Sequence, residues 1–365
     1  NNIWAGSTCN GLISIREVFM KTYTDVVPGN DRGLSNSTVR SLYRQSTDSI
    51  WIGTDGGGIN LFNPRTEKFT HYLSTWNDKI AFISGFTPGK LLISLFSKGV
   101  FIFNPATGEK QPFTIVDKET TTQLCNRGKS VNLYQNTPNT VLLLGDHVYQ
   151  YHLKEKKFDK VTGEEGKSIV GTLVPFKHEN NRTYINDFKH IYELHDGDSL
   201  LQTTFECYQD TVISSASHDE HGDFWIGSNF GLIHYNPVSQ KQTHILTNLF
   251  TEVNMVQCDQ RGKVWIGADN LLFAWLIQEQ KFVLFGESNG AIQNEYLPNA
   301  RLVNNEGDVY IGGVKGMLRI DGQLLLNTSE MPELQLLDII INGEPAQNKL
   351  YSHPAAISVP WDSNI

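Results

Sequence analysis

Ser49-Ile50-Trp51-Ile52-Gly53-Thr54, then Asp55-Gly56-Gly57-Gly58, then Ile59-Asn60-Leu61-Phe62-Asn63-Pro64 is the stretch on which the fold turns. The same order of parts returns as Phe224-Trp225-Ile226-Gly227, Ser228-Asn229-Phe230-Gly231 and Leu232-Ile233-His234-Tyr235-Asn236-Pro237. It returns again at Val264-Trp265-Ile266-Gly267, and in short form at Ile3-Trp4-Ala5-Gly6. Copies without the tryptophan are Leu91-Leu92-Ile93-Ser94 leading to Phe103-Asn104-Pro105, and Val309-Tyr310-Ile311-Gly312-Gly313, with degenerate hairpins near Leu142 and Tyr184. The anchors are about 40 to 50 residues apart, the length of one four-stranded propeller blade.

Each unit reads as strand, short turn, strand, glycine turn, strand, Asn-Pro stop, strand. Ile50 to Ile52 is an apolar run, and Lys68-Phe69-Thr70-His71-Tyr72 alternates. Glycine permits positive φ in the second turn, and proline ends the third strand because it cannot donate to the ladder. No segment keeps a helical period over three turns. The fold class expected is all-β: a seven-bladed β-propeller of four-stranded blades, followed by a truncated β-sandwich segment. Residues 1–15 read as the end of a preceding blade, 16–328 as the propeller and 329–365 as the start of the sandwich. An eight-bladed ring is the alternative count. In the last part, Leu334 to Ile341 followed by Asn342-Gly343 reads as a strand entering a turn. Trp51, Trp225 and Trp265 hold one place per repeat, which points to packing between blades rather than to a binding platform.

The chain has 365 residues, 39% of them apolar and 19% charged, as in a folded soluble protein. A formal charge of −9 leaves no basic excess to displace counterions from phosphates, so nucleic acid is not an expected partner. No stretch approaches the roughly 20 apolar residues of a membrane helix. The start, Asn1-Asn2-Ile3-Trp4, has neither the basic nor the apolar region of a signal peptide. Both ends read as cut points in a longer protein. Cys9, Cys125, Cys207 and Cys258 are too scattered for a metal knuckle or a disulfide framework, and are expected to be buried free thiols.

The densest polar constellation is His218-Asp219-Glu220-His221-Gly222-Asp223. It occupies the slot held by Asp259-Gln260-Arg261-Gly262-Lys263 and by Asn304-Asn305-Glu306-Gly307-Asp308 in other repeats, the polar turn before a blade's second strand. Turn geometry is therefore expected there, with no metal. The chain lacks a G-x-S-x-G elbow, a Walker loop and an H-E-x-x-H motif. No cofactor and no catalytic residue are expected. The enzyme alternative is a propeller lyase, which would need a histidine and a carboxylate converging over the central channel.

Gly33-Leu34-Ser35-Asn36-Ser37-Thr38-Val39, the Trp51 to Gly58 run and Phe69-Thr70-His71-Tyr72 together resemble the two-component-regulator propeller repeat. Asn294-Glu295-Tyr296 with Tyr310-Ile311-Gly312-Gly313-Val314-Lys315-Gly316 resembles the last blade of such propellers. Pro332 to Gly343 resembles the opening strand of the triple-tyrosine β-sandwich domain that follows it. The resemblance implies the periplasmic sensor region of a hybrid two-component system regulator. It implies an oligosaccharide ligand, signalling as a homodimer in the full-length receptor, and a membrane reached only through a downstream helix. The repeats from about Val141 to Phe205 depart from the pattern.

In a four-stranded blade, the turn between strands two and three and the link between blades open on one face, where propellers commonly bind. On this logic the candidate ligand residues are Asn36, Asp55, Lys98, Asp187, Lys189, Asn229, Phe230, Asp269, Asn270 and Lys315. Asn and Asp would bond sugar hydroxyls, Phe230 would stack on a sugar face, and the lysines would meet a uronate or sulfate. Turn formation is the competing role, above all for Asp55, Asn229 and Asp269. Trp76, outside the regular tryptophan slot in Thr75-Trp76-Asn77-Asp78, is expected to be an exposed platform.

Overall fold

A computed structural model of the chain describes residues 3–7, 11–15, 19–25, 31–73, 79–96, 98–113, 131–145, 147–166, 174–179, 182–208, 210–322, 340–341 and 344–345. The chain divides into two compact units, Asn1–Gln323 and Leu324–Ile365. Regular structure among the described residues is strand, with two single-turn 3₁₀ segments at Glu164–Gly166 and Glu287–Asn289. No helix among them is long and apolar enough to cross a membrane.

Strands β1 (Ile3–Ser7) and β2 (Gly11–Ile15) form a separate hairpin, and β3 (Met20–Tyr23) follows. The first four-stranded antiparallel sheet holds β4 (Val39–Ser46), β5 (Ser49–Thr54), β6 (Ile59–Asn63) and β7 (Lys68–Tyr72). The next holds β8 (Ile80–Gly85), β9 (Leu91–Leu95), β10 (Gly99–Asn104) and β11 (Glu109–Pro112). Then come β12 (Asn132–Thr137), β13 (Thr140–Leu144), β14 (Val148–His152) and β15 (Lys157–Gly163), and after them β16 (Val174–Glu179), β17 (Arg182–Asn186), β18 (His190–His195) and β19 (Leu200–Glu206). These eight make one sheet, because β15 and β19 pair in parallel at Thr162↔Leu200 and Gly163↔Leu201.

Two further four-stranded sheets are β20 (Ile213–His218), β21 (Phe224–Ser228), β22 (Gly231–Asn236), β23 (Lys241–Ile245), and β24 (Met255–Cys258), β25 (Lys263–Ala268), β26 (Leu271–Leu276), β27 (Lys281–Phe285). In the last, β28 (Tyr296–Val303), β29 (Val309–Gly313) and β30 (Gly316–Ile320) take β3 as their fourth strand, with Met20↔Ile320 and Tyr23↔Met317 in register. The first strands pack in succession, β4 on β8, then β12, β16, β20, β24 and β28, and β28 returns to β4. In the second unit, β31 (Ile340–Ile341) pairs with β32 (Glu344–Pro345).

The repeat's apolar run follows from this layering. Each second strand is covered on both faces by neighbouring sheets, so β5 and β25 are buried from their second residue on. Outer β7 meets core on one face only, and it alternates. Trp51, Trp225 and Trp265 are buried, as packing between blades requires. Trp51 packs with Ile83, Leu91, Ile93 and Phe103 of the next sheet, and Trp225 with Val256, Val264 and Ile266 of its own neighbour. Burying one such side chain contributes about 2–3 kcal/mol.

Polar groups fasten the first strands together. Ser84 Oγ accepts from Gln135 N (3.0 Å), Ser215 Oγ from Val256 N (3.1 Å) and Ser217 Oγ from Cys258 N (2.9 Å). Arg301 on β28 donates to the carbonyls of Pro298 (2.8 Å), Ala216 (2.6 Å) and Val256, spanning three of these strands. Burial pulls its guanidinium down to about 10. Where β3 completes the last sheet, Lys21 Nζ (2.5 Å) and Tyr23 OH (3.0 Å) both donate to Glu67 of the first sheet. Arg319 on β30 pairs with Asp308 (2.8 Å) and donates to Pro64 O (3.3 Å).

Candidate functional site

One face of the first unit is built from the turns between second and third strands and the links into first strands. Backbone hydrogen bonds join each turn to a link: Asp55 N to Thr38 O, Phe96 N to Lys79 O, Asn229 N to Val212 O and Val314 N to Glu295 O. Others join the link to the preceding sheet's turn: Ile213 N to Phe188 O (2.7 Å), Val253 N to Ser228 O (2.9 Å) and Asn294 N to Asn270 O (2.8 Å). The β21–β22 turn, at Ser228 and Asn229, is thus held from both sides.

Most of the polar candidates spend their side chains on these turns. Asn36 Oδ1 accepts from Thr38 N, closing an Asx turn (2.9 Å). Asp55 Oδ2 accepts from Arg40 Nε (2.8 Å) and Nη2 (2.5 Å), and Oδ1 lies 3.2 Å from Lys79 Nζ. Asn229 Oδ1 accepts from Val212 N (2.7 Å) while its amide donates to Asp210 O (3.2 Å). Asp269 and Asn270 have φ of 50° and 62°, the left-handed pair that closes the tight β25–β26 hairpin. Lys315 N donates to Asn294 Oδ1, and its side chain, like those of Lys98 and Lys189, is exposed. Phe230 is 58% exposed. Trp76 lies outside the described residues.

Asp187 anchors the most connected group on this face. Its Oδ1 accepts from Lys189 N (2.7 Å) and His190 N (2.6 Å), its Oδ2 from Tyr192 OH (2.9 Å), and His190 Nδ1 lies 3.2 Å away. Burial, reinforced by the Asp187 carboxylate, raises the Tyr192 hydroxyl well above its ordinary range, and burial pushes the nearby Cys207 thiol up to about 11. Cys207 and Cys258 are buried free thiols; Cys9 and Cys125 lie outside the described residues.

Sequence reasoning missed the apolar side chains of the same face. Phe96, Phe188, Tyr208, Val212, Leu249 and Val314 are exposed there, as Phe230 is. A signal existed: Phe96, Phe188 and Val314 occupy the slot of the repeat that Asp55, Asn229 and Asp269 hold in other copies, and Phe230 follows that slot by one residue.

The opposite face carries the polar turns before second strands. Asp219 Oδ1 accepts from His221 N (2.9 Å) and Asp223 N (3.0 Å), and its Oδ2 from Trp225 Nε1 (2.8 Å). Asp259 and Asn304 repeat the backbone part of this arrangement with Arg261 and Lys263, and with Glu306 and Asp308. Asp223 is taken up by His234 (2.7 Å) and Asn236 (2.6 Å). Among the described residues, no three His, Cys, Asp or Glu side chains converge where a metal ion would sit.

A circuit of radially ordered antiparallel sheets, closed by a strand from the other end of the chain, defines the chain as a β-propeller protein. Solved structures share this fold. The chain is similar to the extracellular domain of the hybrid two component system BT3049 from B. thetaiotaomicron (TM-score 0.69, 19% identity, 99% of this chain and 48% of that one). It is similar to the extracellular domain of the one component system BT4673 from B. thetaiotaomicron (TM-score 0.62, 15% identity, 82% of this chain and 39% of that one). It is also similar to virginiamycin B lyase from Staphylococcus aureus (TM-score 0.59, 10% identity, 82% of this chain and 98% of that one). The chain thus spans about half the length of the first of these or less. No protein-family model matches the chain, and no curated protein matches it.

Proposed function

We propose that the chain is an extracytoplasmic ligand-sensing module of a membrane sensor kinase or transcription regulator, without catalytic activity. It detects a glycan fragment and signals through a following β-sandwich. The observation that carries this reading is the likeness, over 99% of the chain, to the extracellular domain of a hybrid two component system. On this reading the eight-stranded sheet counts as two blades, and the propeller has seven. The module lies in the periplasm. A ligand would act only through different affinity for two arrangements of the receptor.

A lyase reading has the likeness to virginiamycin B lyase in its favour. His190 and Asp187 are a histidine–carboxylate pair on the exposed face. Against it, β18 follows β16 and β17 and lies away from the first strands, which pack on one another, and both Asp187 oxygens already accept hydrogen bonds, Oδ1 from the turn and Oδ2 from Tyr192 OH.

The test is a thermal-shift screen against plant, host and microbial oligosaccharides. A selective shift that grows with concentration is expected, about 2.7 kcal/mol of stabilisation at a hundredfold excess over Kd. It should be lost in Phe230→Ala. Absence of a shift with every sugar would overturn recognition by this propeller.

A further inference from the structure

We infer that the seam where β20, β24 and β28 meet is a binding site for a small monovalent anion, a chloride ion or a carboxylate group, held on the guanidinium of Arg301. Such a site acts apart from ligand sensing on the exposed face.

Each of these strands is the edge strand of its sheet, with one row of N–H and C=O groups that its own ladder does not use. Arg301 reaches along those edges. Its Nε donates to Pro298 O (2.8 Å), its Nη2 to Ala216 O (2.6 Å) and its Nη1 to Val256 O. A guanidinium carries five N–H donors and no acceptor. Three are spent on the carbonyls, so one on Nη1 and one on Nη2 remain. Ser215 and Ser217, on either side of Ala216, accept from Val256 N (3.1 Å) and Cys258 N (2.9 Å). Each hydroxyl therefore keeps its own proton to donate. The seam is rich in donors.

It is also positive. Arg40, Arg65, Arg182 and Arg319 each have a carboxylate within 3.3 Å, from Asp55, Asp48, Glu193 and Asp308. Among the described residues, no carboxylate pairs with Arg301; the ionisable group that bears on it is the Cys258 thiol. Burial raises that thiol, which is therefore neutral at pH 7. The guanidinium, pulled down only to about 10, stays charged there. Three carbonyls solvate a cation without neutralising it, and an enclosed charge with no counter-charge is costly. One negative charge on the two remaining N–H groups supplies both the bonds and the neutralisation, as a carboxylate does when it meets an arginine fork. Arg301 is half-buried, so solvent reaches part of it and a small ion has a way in.

Thermal unfolding of the whole 365-residue chain in Hepes tests this, with ionic strength held constant by sodium methanesulfonate. Exchanging methanesulfonate for chloride, or for acetate, should raise the midpoint by about 2–4 °C at a tenfold excess over Kd, and the rise should level off. A response to acetate supports a site open to carboxylates, and a response to chloride alone supports one restricted to halides. Arg301→Met should lose the response. Should that variant not fold, wild-type crystals soaked in sodium bromide decide, with an anomalous peak expected in contact with Nη1 and Nη2 of Arg301. A midpoint that follows total salt whatever the anion overturns the inference. So does bromide bound elsewhere but not at Arg301, or a folded Arg301→Met that keeps the full chloride response. Each of these leaves the sensing proposal standing, since the oligosaccharide screen reads a different face.

Discussion

Asp219→Ala removes one carboxylate and three hydrogen bonds. Two are to backbone N–H groups of the turn, at His221 and Asp223, and the third is to the indole of Trp225. The turn sits at the surface, and the His221 side chain is 73% exposed, so water replaces much of what the two N–H groups lose. Their combined cost is about 1–2 kcal/mol. Trp225 is 3% exposed, and its Nε1–H would be left without an acceptor inside the protein. A stranded buried donor costs about 1–3 kcal/mol. The expected loss is therefore about 2–5 kcal/mol, a large share of the ~5–15 kcal/mol that holds a typical domain. Asp219→Asn keeps an acceptor for the turn and should cost less. Urea unfolding followed by tryptophan fluorescence measures both from the shift in midpoint. His221→Ala is the control, expected within about 0.5 kcal/mol as a surface change. A loss below 0.5 kcal/mol in Asp219→Ala (about the effect of an ordinary surface substitution) would refute the turn reading. A rise in the wild-type midpoint with zinc, absent in the variant, would refute it in favour of a metal site.

Gly316 has φ of 128°, and a Cβ there would lie 2.3 Å from the Tyr23 carbonyl of β3. Gly316→Ala should therefore loosen the closing strand, cost more than about 2 kcal/mol and speed amide exchange at Met20–Tyr23. Glu67 is held below its ordinary carboxylate range by its hydrogen bond from Lys21, with a further bond from Tyr23. A lowered folded pKa gives stability that is present above the unfolded value and is lost as pH falls through the folded one. Wild type should exceed Glu67→Gln by at most about 1 kcal/mol at neutral pH, since the pair is partly solvated, and the gap should close in acid urea titrations.

The propeller was legible where the repeat has a two-sided environment. Ser49–Thr54, Phe224–Ser228 and Lys263–Ala268 are buried on both faces, so their composition has no freedom to drift, and the same words recur. The stretch from Val141 to Phe205 keeps a fully buried second strand at Thr140–Leu144 but loses the words of the repeat, and its outer strands make a contact the other sheets lack. β15 and β19 meet edge to edge through Thr162, Gly163, Leu200 and Leu201, a parallel contact with no local signature in either segment. Closure was illegible for a related reason: Met20–Tyr23 is four residues long, and its partner β30 lies at the other end of the ring. Partners distant in sequence also hid the role of Asp55, whose charge is met by Arg40 and Lys79.

At the exposed face the repeat constrains the backbone and leaves the side chain free. A turn tip needs only residues that tolerate its geometry, and Asp, Asn and Gly meet that need at Asp55, Asn229 and Asp269. An aromatic ring contributes nothing to such a turn and exposes apolar area to water. Phe96 and Phe188 in that slot, and Phe230 one residue after it, are therefore departures that turn geometry does not explain, and they fall on sheets that adjoin charged residues of both signs. In a repeat protein the regular positions report the fold. The side chains that the repeat has no use for, yet that recur at one tip after another, are where a partner must be sought.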